Sequence, residues 1–138
     1  MSKFQKITVE AVINKNRSEL WTLWTKPEHI TKWNQASDDW HSPRAENNLT
    51  VGGRFLTRME AKDGSAGFDF GGRYDEIVKH KKIRYTMDDG RQVENLFVED
   101  GGKTKIVVTF DAENENPLDM QKAGWQSILN SFKHYAEA

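Results

Sequence analysis

Cysteine is absent from this sequence, which excludes disulfides, thiol catalysis and cysteine-held zinc or iron–sulfur centres. No apolar run approaches the roughly 20 residues that span a bilayer. The opening Met1-Ser-Lys-Phe-Gln-Lys6 lacks the apolar core of a signal peptide. The expected location is therefore the cytoplasm, without membrane insertion, and there the glycosylation pattern Asn48-Leu49-Thr50 is a chance match. An excess of one charge is also missing: 20 Lys and Arg stand against 21 Asp and Glu, interspersed, for a net charge of -1. That balance offers nucleic acid no basic surface. Proline occurs three times in 138 residues, and no repeat, low-complexity segment or linker breaks the chain. One domain over residues 1–138, long enough for a hydrophobic core, is the expectation.

Against a hydrophobic content of 36% and a charged content of 30%, the aromatic residues must carry much of the burial. They are unevenly placed. Four of the five tryptophans, Trp21, Trp24, Trp33 and Trp40, fall before the main run of strand signals. Phe4 to Ile13 alternates, with Ile7, Val9, Ala11 and Ile13 on one side, and reads as a half-buried strand. Asn16 with Glu19 three residues later is a capping-box variant, and Leu20, Leu23 and Trp24 share the helical face that follows. Pro27 suits the first turn of a second short helix, whose Ile30 and Trp33 lie on one side. Residues 34–47, polar apart from Trp40 and interrupted by Pro43, read as a loop.

From Leu49 the period is two. Phe55, Thr57 and Met59 share a face, as do Phe68, Phe70, Gly72 and Tyr74, then Ile83, Tyr85 and Met87, then Val93, Asn95 and Phe97, then Ile106, Val108 and Phe110. Turn signals at residues 62–65, 79–82, 88–90 and 99–102 join these runs into an antiparallel meander. The pair Gly71-Gly72 predicts a bulge or sharp bend that lets the sheet curl. Pro117 opens a long helix from about Leu118 to Ala136. Leu118, Trp125, Ile128, Leu129, Phe132 and Tyr135 form its apolar stripe, with Gln121, Lys122, Gln126, Asn130 and Lys133 toward water. Gly124, mid-helix, costs about 1 kcal/mol relative to alanine, which close approach of a backbone or a ligand would explain.

Trp24-Thr25-Lys26-Pro27 with Trp33, Val51-Gly52-Gly53-Arg54-Phe55, Gly72-Arg73-Tyr74-Asp75-Glu76-Ile77, and Gly124-Trp125 with Leu129 carry a resemblance over almost the whole chain. With this element order the sequence resembles the helix-grip superfamily of START lipid-transfer domains and the birch-pollen allergen. Within it, the sequence is similar to stand-alone bacterial relatives of the heat-shock-protein-90 ATPase activator. The resemblance implies an α+β fold, strand–helix–helix–six strands–helix, whose curved antiparallel sheet grips the last helix around an apolar cavity. By position, Trp33, Phe55, Tyr74 and Trp125 would border or brace that cavity. Trp33 and Trp40 would form its rim, while Leu20, Leu23 and Trp24 seat the helical pair.

The aromatic set and the strand parity together nominate Trp33, Trp40, Phe55, Phe68, Phe70, Tyr74, Tyr85, Asn95, Phe97, Trp125, Leu129 and Phe132 as ligand-binding residues. Thr57, Glu76, Arg91 and Asn95 are the polar candidates on the same faces. Of these Asn95 is the sharpest, since a buried amide needs partners. His29, His41, His80 and His134 show no metal spacing, and no catalytic residue, metal or cofactor is expected. Gly52-Gly53 and Gly71-Gly72 do not introduce a helix with a lysine, so neither is a phosphate loop.

The functional expectation is a small protein, monomeric or weakly homodimeric, that binds a hydrophobic lipid-like or aromatic molecule. An alternative by analogy is a cyclase- or aromatase-like enzyme. That alternative requires at least two of Asn95, Glu76, Arg91, Asp39 and His41 to converge in one pocket. A further alternative, chaperone-associated and stress-related, rests on the family name. The eukaryotic activators engage the chaperone through an additional N-terminal domain, for which this sequence leaves no room.

Overall fold

The computed structural model describes residues 4–138, so the first three residues of the polar opening lie outside the described residues. Strand β1 (Lys6–Ile13) turns Val9 and Ile13 into the core while Lys6, Thr8, Glu10 and Val12 face outward. Helix α1 (Arg17–Thr25) starts where the Asn16 side chain accepts a 2.8 Å hydrogen bond from the Glu19 N–H. This satisfies one of the N–H groups that a helix start leaves unpaired. Pro27 occupies the first turn of α2 (Pro27–Trp33), a position that needs no N–H donor.

The remaining strands are β2 (Trp40–Asn47), β3 (Arg54–Ala61), β4 (Gly67–Val78), β5 (Lys82–Met87), β6 (Gln92–Asp100) and β7 (Lys103–Asp111). They form one antiparallel sheet in the order β1-β7-β6-β5-β4-β3-β2. The sheet curls into a half-barrel, and α3 (Leu118–Glu137) lies across its concave face. This is the α+β helix-grip arrangement. Among the described residues no helix is long and apolar enough to cross a membrane.

Residues 40–47, read above as loop, are instead the edge strand β2. The register shifts between His41 and Arg44, on either side of Pro43. An edge strand tolerates such a proline because its missing N–H faces away from the ladder. Side-chain bonds tie β2 to the helical pair: the Ser42 hydroxyl donates to the Asn34 carbonyl and the Asn47 amide to the Thr25 carbonyl.

Two positions of α3 differ from the expected stripe. Leu118 is 44% exposed, whereas Gln121 is 8% exposed. The Gln121 amide donates to the carbonyls of Glu113 and Asn116 and accepts from the Glu113 N–H. A polar residue is buried there because it holds the loop that delivers the chain from β7 into the helix. Gly124 also departs from expectation. A Cβ built at Gly124 would meet nothing within 4 Å, so no backbone approach explains the glycine. Gly124→Ala is therefore expected to raise stability by about 1 kcal/mol, seen as a higher thermal midpoint; an unchanged or lower midpoint would contradict this reading.

Candidate ligand-binding cavity

The inward faces of β3 to β6 form a floor, α3 crosses above it, and α1 with α2 closes one end. Between them lies a cavity of about 280 Å³, near the lower end of the roughly 300–1,000 Å³ usual for small-molecule sites. Aromatic rings build much of the wall. Phe55 meets Tyr85 edge-on at 4.7 Å and lies 5.2 Å from Tyr74 and 5.8 Å from Phe70. Trp125 on α3 reaches Phe70 at 6.2 Å and stacks on Phe110 of β7 at 4.0 Å. It thereby spans the floor from one side of the sheet toward the other. At the closed end Trp24 stacks on Trp33 at 5.0 Å.

Nine of the twelve nominated residues lie on this wall: Trp33, Phe55, Phe68, Phe70, Tyr74, Tyr85, Asn95, Trp125 and Leu129. The other three stand outside it. Phe97 and Phe132 pack behind Trp24, at 5.7 and 4.9 Å, as core supporting the helical pair. Trp40 leans on Phe68 from the edge strand, 6.0 Å away. Phe68 is 48% exposed while still lining the cavity, which places it at the mouth. Trp24, read as an anchor, is itself on the wall. Met59 and Met87 join it with the strand parity already noted, whereas Thr25 and Asn34 do so through helix placement that no spacing signal announces.

The polar candidates separate cleanly. Thr57, Arg91 and Asn95 face the cavity. Glu76 does not: the β4–β5 register shifts between Tyr74 and Glu76, leaving Asp75 as an extra residue that reverses the parity beyond it. Glu76 therefore sits on the outer face, paired with Lys82 at 3.0 Å. Tyr74 donates its hydroxyl to the Asn47 side chain, which in turn holds the Thr25 carbonyl. Burial pushes the Tyr74 hydroxyl far up, against the opposing effect of Asn47. Tyr85 is pushed up by burial and then by Tyr74, with Arg91 opposing. Both phenols therefore remain protonated donors at neutral pH.

Asp39 and His41 contribute nothing to the wall: Asp39 is exposed and bonded to Ser37, and His41 lies 3.8 Å from Glu60. His29 contacts Tyr135, His80 lies against Trp21, and His134 is exposed. Among the described residues no cluster of three or more His, Asp or Glu could hold a metal ion.

The helical end is fastened on several sides. The Trp33 indole donates to the Leu23 carbonyl at 2.9 Å, the Ser131 hydroxyl donates to the Trp33 carbonyl at 2.7 Å, and His29 Nδ1 meets the Tyr135 hydroxyl at 2.7 Å. Preorganised walls of this kind lower the ordering cost of taking up a ligand.

Comparison with known proteins gives a consistent picture. The family described as Activator of Hsp90 ATPase homolog 1-like protein matches residues 14–137. The solution NMR structure of the AHSA1-like protein from Aeromonas hydrophila is 44% identical, covering 96% of this chain and 92% of that one, with a TM-score of 0.91. The solution structure of a protein from Cytophaga hutchinsonii is 51% identical over 96% of this chain and 92% of that one, with a TM-score of 0.84. A crystal structure of a Chromobacterium violaceum protein has a TM-score of 0.86 at 20% identity, covering 96% of this chain and 97% of that one, and shows likeness of fold alone. No curated protein matches the sequence.

Proposed function

Since the chain belongs to the family of activator of Hsp90 ATPase homolog 1-like proteins, a family of ligand-binding type in its fold, we propose that it binds a small hydrophobic or aromatic molecule between its sheet and α3. The observation that carries this reading is the ring-lined cavity, open at Phe68 and closed at Trp24 and Trp33. Apolar burial at about 25 cal/mol per Å² would supply affinity, and the inward polar groups would set orientation.

Binding without catalysis fits the wall better than a cyclase-like reaction. Asn95 and Arg91 do converge there, but an amide does not titrate and a guanidinium stays protonated. The described wall holds no carboxylate, histidine or lysine, so it offers a bound molecule no proton acceptor of that kind.

Amide NMR titration with 1-naphthol tests the proposal. Shifts are expected at inward residues of β3–β6 and along α3. Trp125→Ala should weaken binding by about tenfold or more, because it removes a wall that spans the floor. It should also cost about 2 kcal/mol of stability, since the indole is half-buried. Shifts confined to the convex face, or affinity unchanged in a folded Trp125→Ala protein, would reject it.

A further inference from the structure

Among the described residues seven polar or charged ones are buried, and their partners divide them in two. Thr25, Ser42, Thr104, Asp111 and Gln121 all spend their side chains on hydrogen bonds within the protein. Thr57 and Asn95, 4% and 2% exposed, have no side-chain partner among the described residues, and both line the cavity. Tyr85, 8% exposed and on the same wall, is a third such group through its hydroxyl. No side-chain nitrogen or oxygen is sealed into the described core without a partner, so these three groups open into the cavity.

An unpaired buried polar group costs about 1–3 kcal/mol. Asn95 illustrates the point: it lies opposite Ile83 on one neighbouring strand and Val108 on the other, between Val93 and Phe97 along its own. Leucine would suit those surroundings better if packing were the only requirement. Tyr85 lies opposite Val93, so its Cα is diagonal to Asn95 at about 7–8 Å. Thr57 lies two strands further, on β3, beside Phe70 and the mouth. The polar points are thus spread across a floor whose remaining surface, Arg91 apart, is rings, methionines and the aliphatic Ile83 and Val108.

Charge narrows the choice further. Arg91 is the one charged residue on the described wall, and its guanidinium Nε already donates to Asp89 at 2.7 Å. Arg91 also borders a surface cleft shared with Asp89 and Glu113. The ion pair with Asp89 therefore already engages the one cation, and an entering anion would have to compete with that carboxylate.

We infer that the cavity selects a neutral aromatic molecule carrying hydrogen-bonding oxygens, and disfavours fatty acyl chains and carboxylates, with Asn95 and Thr57 as the discriminating residues. This rests on the cavity being the binding site proposed above. An acyl chain would leave the Asn95 amide and both hydroxyls desolvated and unpaired, whereas a ring can lie against Phe55, Phe70 and Trp125 while its oxygens meet them.

The test titrates the full chain, by amide NMR, with para-hydroxyacetophenone, para-ethyltoluene, para-hydroxybenzoate and decanoate. The hydroxyketone is expected to bind at least about tenfold tighter than each of the others. Asn95→Leu and the near-isosteric Thr57→Val, each checked for an intact thermal transition, should shrink its advantage over para-ethyltoluene to about threefold or less. If para-ethyltoluene or decanoate binds as tightly as the hydroxyketone at the same interior resonances, the binding reading stands and the ligand class is overturned. The same holds if para-hydroxybenzoate matches it, or if neither variant changes the ratio. If no probe moves an interior resonance, both readings fall.

Discussion

Phe132→Ala is expected to destabilise the fold by about 4 kcal/mol, near the middle of the range for removing a buried aromatic ring. Phe132 is completely buried, and its ring stands edge-on to both Trp24 and Trp33 at 4.9 Å. The substitution removes the apolar transfer gain of the side chain and leaves a void behind the two indoles. Little can collapse into that void, because Ser131 and Tyr135 pin α3 to α2 on either side of it. Against a total stability of about 5–15 kcal/mol this is a large fraction. It should lower the urea midpoint steeply with little change in slope. Phe132→Leu keeps much of the volume and should cost about 1.5 kcal/mol. The test belongs to the ligand-free protein, since Phe132 stands outside the cavity wall. An alanine variant within about 1 kcal/mol of the parent would show that the helical end can repack, contrary to its several fastenings.

Phe132 also shows where reading along the chain stops. Period 3.6 identifies it as inward, and period 2 does the same for Phe97, yet neither period reports depth. Whether an inward ring meets a cavity or solid core depends on the distance from the helical pair. That distance arises only when α1 and α2 dock on the end of the sheet. The strands β1 and β3 to β7 and all three helices were legible because apolar spacing, caps and turn residues agree with one another. Strand β2 was not legible: its outward residues are polar, Pro43 interrupts it, and its burial comes from pairing with β3 and from the Ser42 and Asn47 bonds to the helices. Glu76 was misassigned for a single physical reason. Parity counting assumes an unbroken pleat, and one extra residue at Asp75 reverses everything after it. Gln121 resisted in the opposite way, since a glutamine reads as solvent-facing until the loop carbonyls it binds are known.

The glycine pair of β4 supplies the second large effect, and again the sequence pointed to the place but not to the device. Gly71 and Gly72 hold no bulge: Leu56 and Phe55 pair with them in unbroken register, and Gly72 faces Met87 on the other side. The device is contact between backbones. A Cβ on Gly71 would lie 2.9 Å from the Phe55 carbonyl oxygen of β3, and one on Gly72 would lie 2.5 Å from the Thr86 carbonyl oxygen of β5. Neither neighbour can step aside as a side-chain tip could, because each belongs to a paired strand. The curl that makes room under α3 thus passes through a point with no space for a methyl group. Gly72→Ala should therefore cost about 3 kcal/mol, the upper part of the range for overpacking, and should shift amide resonances of Phe55, Thr86 and Met87 as the strands spread. Gly124→Ala, the same chemical change in open space, should move stability the other way by about 1 kcal/mol. The difference between the two, about 4 kcal/mol for identical added atoms, isolates the environment from the residue. A neutral Gly72→Ala would mean that the sheet has slack at this point, and the curvature that frames the cavity would have to be set elsewhere.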